Sequence, residues 1–236
     1  QTLLGLPPKR RQEHRVVLTE PESRGFDHRL ALVTDNYRHR VQQGLVRSDA
    51  ESLAVLTALR QIAAEFKLPA VETVVAALLA EGQAVVLFSS FVGPLLLLQQ
   101  RLGGELLTGR QRPGQRQEAV NRFQSGMSSL LLATYAVGGL GYTLHRARHV
   151  VLLERHWTPG DVDQAEDRCH RLGMDGGLTS HWFQLGFADQ LVDALIASKA
   201  ERIEVLLGSR RVGLKRQPLP VMLRCCMQES LRTVSS

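Results

Sequence analysis

The stretch Leu130–Met174, LLLATYAVGGLGYTLHRARHVVLLERHWTPGDVDQAEDRCHRLGM, decides the fold. It reads as a strand, a glycine-rich turn, a second strand, Trp-Thr-Pro, and a short helix over about 159–172. Short apolar runs bounded by turn residues are the mark of strands buried on both faces. Thr158 caps the helix, Pro159 occupies its first turn and Asp161 follows three after the cap, a sequence-level start signal. Gln164, Arg168 and Arg171 then fall at i, i+4 and i+7 and share one face, while Val162, Ala165, Cys169 and Leu172 form another, apolar one. One side can pack on a sheet while the other presents an amide and two guanidiniums. Such groups suit phosphate oxygens. Spacing alone leaves a second reading open, in which Arg168 and Arg171 make surface ion pairs with Asp163, Glu166 or Asp167.

Working outward, the same alternation continues on both sides. Strands are expected at Ala84–Phe88, in GELLTG, at Ser129–Thr134, His149–Glu154 and Ser180–Leu185. Helices are expected at Pro94–Leu102, Pro113–Phe123 and over 188–207. This alternation implies an α/β fold, a parallel sheet covered by helices on both faces. Upstream, 21–82 reads as a helical segment. Phe26, Leu30, Val33, Tyr37, Val41 and Leu45 keep a helical period, Ser48 with Glu51 makes a capping box, and Pro69 interrupts before a third helix from about Ala70. Residues 1–20 read as a connector, with Val16–Leu18 a short strand and the run Lys9, Arg10, Arg11 a solvated face. The body spans 83–208, closing on the 188–207 helix. A basic tail with a terminal amphipathic helix follows at 209–236.

Composition sets limits. The chain has 236 residues, 44% of them hydrophobic, enough to bury a core. It has no apolar run long enough to span a membrane. Its three cysteines, Cys169, Cys225 and Cys226, suit neither a disulfide framework nor a zinc site. They favour a reducing, intracellular compartment. The chain begins on Gln1 rather than Met, as a piece of a longer protein would. Net charge is +6, and six basic residues against Glu229 alone place most of it in 209–236.

In open parallel sheets, ligands sit beyond the carboxyl ends of strands. Ser89 and Ser90, Thr108 to Arg110, Thr134 with the Gly138–Gly141 turn, and Glu154 to Trp157 all lie at such ends. The chain has no GxxxxGK[ST] phosphate loop and no acidic strand-end motif for magnesium. Alone it cannot complete a nucleotide-hydrolysing site, though it can supply arginines to one.

The order of motifs resembles the second RecA-like lobe of the SWI/SNF-type ATPases, helicase-related motors of superfamily two. VVLFSSF (85–91) resembles motif IV, and LLTGRQRPGQRQEAVNRF (106–123) the segment after it. LLLATYAVGGLGYTL (130–144) resembles motif V, and VVLLERHWTPGDVDQAEDRCHRLGM (150–174) the Trp-x-Pro element and motif VI. QAEDRCHRLG (164–173) is most similar to the annealing-helicase branch, LPPKRR (6–11) to the junction between lobes, and the 188–207 helix with Lys199 to the segment closing the domain. The resemblance implies an ATP- and magnesium-dependent enzyme acting on double-stranded or forked DNA. A first, N-terminal lobe would bind most of the nucleotide. Arg171 would be the arginine finger, Arg168 its neighbour, and Gln164, Gly139 and Gly141 would face the nucleotide cleft. Ser89, Ser90, Gly109, Arg116, Thr134 and Gly138 would lie along DNA. Met174 stands where the family's motif VI ends in glutamine, removing an amide. The alternative class is a non-catalytic nucleic-acid-binding module.

Overall fold

The computed structural model describes residues 8–44, 48–138, 141–154, 159–171, 176–186 and 188–190. The side chains of 34, 37, 38, 41, 48–55, 138 and 159 are outside that description, as are the expected 188–207 helix beyond residue 190 and the whole 209–236 tail.

In chain order the elements are β1 (Lys9–Arg15), α1 (Glu20–Gln42), α2 (Ser48–Ala80), β2 (Val85–Ser89), α3 (Val92–Leu102) and β3 (Glu105–Leu107). They continue with α4 (Pro113–Gln124), β4 (Leu130–Thr134), α5 (Tyr135–Gly138), β5 (His149–Leu152), α6 (Pro159–Cys169) and β6 (Leu178–Gln184). Among the described residues the strands form a sheet of order β1-β6-β5-β2-β4-β3. Every neighbouring pair is parallel. This is the parallel α/β sheet that the alternation implies, and the RecA-like architecture that the resemblance implies.

Both faces of the sheet are covered, as strands that are mostly apolar and, in β2 and β4, buried at every position require. Val85 and Leu87 of β2 point to one side, with Leu130 and Leu132 of β4, and meet Ala64, Leu68, Val71 and Val75 of α2 and Leu95 and Leu98 of α3. Val86 and Phe88 point to the other, with Leu131 and Ala133, and meet Val120 and Phe123 of α4 and Val162, Ala165 and Cys169 of α6. The period of two along each strand divides one apolar run between two cores.

The chain divides into two compact units. One comprises residues 1–17 and 64–184 and holds the whole sheet; the other comprises 18–63 and 185–236. Within the second unit, the start of α1 is fixed by a capping interaction. Glu22 Oε2 accepts the Thr19 backbone N–H at 2.8 Å and the Thr19 hydroxyl at 2.7 Å. The helix therefore begins at Glu20, one residue before the expected segment.

Three further expectations are corrected. Pro69 does not interrupt the helical segment, since α2 runs unbroken through it. Proline in a helix interior costs about 3 kcal/mol, and the apolar burial of Leu68, Val71 and Val75 around it is of the size that offsets such a cost. The first strand is Lys9–Arg15, not Val16–Leu18. Its pairing with β6, Lys9 opposite Leu178 through Arg15 opposite Gln184, supplies what the basic sequence lacks in strand propensity. Finally, α6 ends at Cys169, so Arg171 lies just beyond the helix.

Candidate nucleotide and nucleic-acid interface

The helix α6 buries Val162, Ala165 and Cys169, as its apolar spacing requires. Burial pushes the Cys169 thiol well above its ordinary range, so it packs as a small hydrophobe. Gln164 is exposed, and Arg168 and Arg171 are half-buried. Arg171 donates from Nε to the Asp167 carbonyl oxygen at 3.3 Å and from Nη1 to the Thr143 hydroxyl at 3.2 Å. The Leu144 N–H donates to the Arg168 carbonyl oxygen at 3.0 Å. Two bonds thus tie the end of α6 to the loop that follows the glycine turn.

The carboxylates considered as ion-pair partners for these arginines are engaged elsewhere. Glu166 is fully buried, which corrects its reading as a surface charge. Its Oε2 meets Lys9 Nζ and Arg11 Nη2, each at 2.9 Å. Its Oε1 accepts the Ser180 hydroxyl at 2.7 Å and the Trp182 indole N–H at 3.1 Å. Burial opposes this charge, but the bonds from Arg11, Lys9 and Ser180 prevail and hold its pKa below the usual range. Asp163 Oδ1 takes Arg11 Nη2 at 2.8 Å, and the Arg11 guanidinium lies 4.7 Å from the Trp182 ring centroid. The run Lys9–Arg11 is thus only in part a solvated face: Arg10 and Arg11 are exposed, yet Lys9 and Arg11 are engaged by acids. Alternation along β1 turns Lys9 and Arg11 toward α6. Among the described residues Arg171 meets a carbonyl and a hydroxyl but no carboxylate.

At the strand ends, Ser89 is completely buried, and its hydroxyl lies 3.3 and 3.1 Å from the two carboxylate oxygens of Glu154. The Ser90 N–H donates to Glu154 Oε1, and the Phe91 N–H to the Ser89 hydroxyl at 3.0 Å. The Tyr135 hydroxyl donates to the Glu154 carbonyl oxygen at 2.6 Å, and its ring stacks on Phe88 at 5.6 Å. The serines and the start of α5 thus converge on a buried acid, Glu154, two residues past β5. Sequence reasoning placed Glu154 on the rim but gave it no partners. The one signal was an acid closing the apolar run HVVLLE.

Thr134 is buried, and Gly138 closes α5. Gly139 lies outside the described residues. Gly141 has φ of +89° with open space where a Cβ would stand, so its constraint is backbone conformation rather than crowding. Beyond β3, the Thr108 N–H donates to Gln111 Oε1 at 2.8 Å and Gln111 Nε2 to the Leu106 carbonyl oxygen at 2.9 Å. This closed loop exposes Gly109, Arg110 and Arg112, with half-buried Arg116 one turn into α4. Thr158 and Trp157 fall outside the described residues. No cluster of three His, Cys, Asp or Glu side chains among the described residues is arranged to hold a metal ion.

Residues 67–173 match the helicase conserved C-terminal domain family. Over that stretch the chain is similar to the C-terminal domain of helicases. The chain is 32% identical over 111 residues to the mouse DNA annealing helicase and endonuclease ZRANB3, a match covering 46% of this chain and 10% of that protein. It is 37% identical over 121 residues to rat chromodomain-helicase-DNA-binding protein 6, covering 48% of this chain and 4% of that one. The chain thus spans a tenth or less of the length of these relatives. They include an annealing helicase and a chromodomain helicase alike, so they single out no branch. Among solved structures, the C-terminal part of the Fun30 ATPase domain superposes with a TM-score of 0.62 at 14% identity, over 81% of this chain and 89% of that one. The Sulfolobus solfataricus SWI2/SNF2 ATPase core, solved with double-stranded DNA, superposes with a TM-score of 0.63 at 21% identity, over 86% and 47%. At these identities the two structures establish the fold. No described helix is long and apolar enough to cross a membrane.

Proposed function

We propose that the lobe is the arginine-donating half of an ATP-hydrolysing, DNA-dependent translocase and acts only beside a first lobe that holds ATP and magnesium. The observation that carries this reading is the placement of Arg171. It leaves α6 beside Arg168, bonded to the loop after the glycine turn, while the nearby acids Glu166 and Asp163 are taken up by Lys9 and Arg11. A guanidinium held by a hydroxyl and a carbonyl keeps its full charge for an incoming phosphate, because neither partner neutralises it. The chain has no phosphate loop, so its residues fit the γ-phosphate from outside rather than the whole nucleotide. In this reading Arg171 stabilises charge on the transferred phosphoryl group and Arg168 binds the same phosphates. Gln164, Gly139 and Gly141 face the cleft. Magnesium belongs to the first lobe.

DNA lies along the rim formed by the strand ends. Gly109, Arg116 and Gly138 offer backbone amides and a guanidinium to its phosphates. Ser89, Ser90 and Thr134 act from beneath, since Ser89 and Thr134 are buried and both serines are bonded to Glu154. Residues 1–20 then connect the lobes, and 21–82 are a helical insertion between that connector and the motor body at 83–208. Duplex or forked DNA is the proposed substrate, and the matches to DNA helicases and the fold shared with a DNA-bound ATPase core support it.

The test is steady-state, DNA-stimulated ATP hydrolysis by a protein that carries this lobe together with its phosphate-loop lobe. Removing an arginine finger costs about 10³–10⁵ in rate, so Arg171→Ala is expected to lose turnover on that scale while still binding DNA. Undiminished turnover would end the assignment. The isolated chain is expected to hydrolyse no ATP.

A further inference from the structure

From the Glu166 cluster we infer that Glu166 is a positioning residue. It latches the arginine-bearing helix α6 to the connector strand β1, so that Arg168 and Arg171 stand at the right height for a phosphate. The inference rests on the arginine-donating reading above and adds a residue and a route of coupling to it.

Three features carry it. First, both oxygens of one fully buried carboxylate are filled by four donors from two strands: Lys9 and Arg11 of β1, Ser180 and Trp182 of β6. A buried carboxylate is costly unless it is paired and fully bonded, and breaking one partner of such a pair is strongly felt. Second, the cations come from the strand that the sequence reading assigns to the junction between lobes. Arg11 also holds Asp163, and Lys9 Nζ lies 3.7 Å from Asp167 Oδ1, so three acids of α6 are drawn onto β1. Third, Glu166 sits between Gln164 and Arg168 in sequence on the opposite side of the same helical turn. The far end of α6 is fixed through Leu144 N–H to the Arg168 carbonyl and through Arg171 to Thr143. The helix is therefore held at two points. One is the loop beside the phosphate site, and the other is the connector. A shift of β1 would move the arginines with it.

The latch also explains why the arginines find no acid in Glu166. Lys9 and Arg11 reach it from the sheet side, with Trp182 flanking Arg11 at 4.7 Å from ring centroid to guanidinium. Neutralising the latch removes attraction between β1 and α6 without touching either arginine.

The experiment compares Glu166→Gln, Glu166→Asp and the double variant Lys9→Met/Arg11→Met with Arg171→Ala, in the protein carrying both lobes. Glutamine matches the shape and removes the charge. A group displaced by a change away from the chemistry can lose on the order of 10²-fold in rate. The expected result is a fall in kcat of about 10- to 10²-fold for Glu166→Gln and for the double variant, with KM for ATP and DNA affinity near wild type. Glu166→Asp, which restores the charge, is expected to recover part of it. In the same samples, amide hydrogen exchange over 159–169 should quicken in both latch variants while 85–89 stays protected. Wild-type kcat in Glu166→Gln, in a protein whose turnover is lost with Arg171→Ala, would overturn the latch and leave the arginine finger standing. Unchanged exchange over 159–169 in both latch variants would overturn it as well. Turnover that survives Arg171→Ala would overturn the finger, and with it the catalytic half of the latch.

Discussion

At the scale of single residues, two buried titratable groups show charge fully met and charge kept off. Glu166 is the first kind. His181 is the second. It is 4% exposed and sits in a row of three imidazoles on adjacent strands, its Nδ1 2.9 Å from His14 Nε2 and its Nε2 2.9 Å from His149 Nδ1. Burial and the two neighbouring imidazoles push His181 down to about 4. Burial also lowers His14, and it lowers His149 despite the opposing charge of Glu81. A histidine whose folded pKa is depressed takes up more protons when unfolded, so its contribution is intact above about pH 6.5 and is lost as pH falls toward its folded value. Glu166 acts in the same direction at lower pH, since its depressed folded pKa means that acid removes the stability its charge supplies. Urea unfolding of the chain should therefore show stability falling by about 2–3 kcal/mol between pH 6.5 and 4. His181→Phe should flatten that slope. A wild-type curve flat over this interval would show that the imidazole row is charged in the fold. None of this is visible in the sequence, because the three histidines are 32 to 167 residues apart and meet only through strand order. Arg168 and Arg171 were legible because their spacing lies within one segment. The partners of Glu166 and Glu154 were not, because they come from other strands.

At the scale of elements, the pattern of apolar residues located the central strands and helices to within a few positions. Errors occur where tertiary packing outweighs local preference. β1 is the clearest case. KRRQEHR has one of the poorest strand compositions in the chain, yet it pairs with β6 over seven residues. A parallel edge strand is stabilised by its neighbour's free backbone groups and, here, by acids on α6. Pro69 is the second. It is exposed, while Leu68, Val71 and Val75 beside it are buried. Packing therefore carries the helix across a residue that local propensity forbids. The same geometry makes a prediction. Pro69→Ala restores a backbone N–H and removes a ring without opening the core, so it should raise stability by about 1–3 kcal/mol. Chemical denaturation of the chain decides the matter. A destabilised variant would mean that the proline ring, not the buried leucine and valines, shapes α2.

At the scale of the whole molecule, charge is distributed more unevenly than its net value of +6 suggests. The tail, 209–236, contains Arg210, Arg211, Lys215, Arg216, Arg224 and Arg232 against Glu229, which leaves the other 208 residues close to neutral. Within the body, several of the cations are already spent: Lys9 and Arg11 on α6, Arg101 on Glu72 at 2.7 Å, Arg122 on Glu105 at 2.7 Å. On the proposed reading, long-range attraction to DNA is expected to come mainly from the tail, and the rim beyond β3 and β4 to supply position more than charge. Each phosphate neutralised on duplex DNA adds about −0.9 to the slope of log affinity against log salt. Deleting 209–236 should therefore weaken DNA binding and flatten that slope by several units, up to about five if every tail cation is used. The body alone should retain a shallow slope, set by Arg110, Arg112 and Arg116. Titrating labelled duplex at several salt concentrations with both forms of the chain separates the outcomes. A slope unchanged by the deletion would assign the tail to another surface and return the electrostatic work to the rim, where Arg116→Ala would then have to remove the greater part of it.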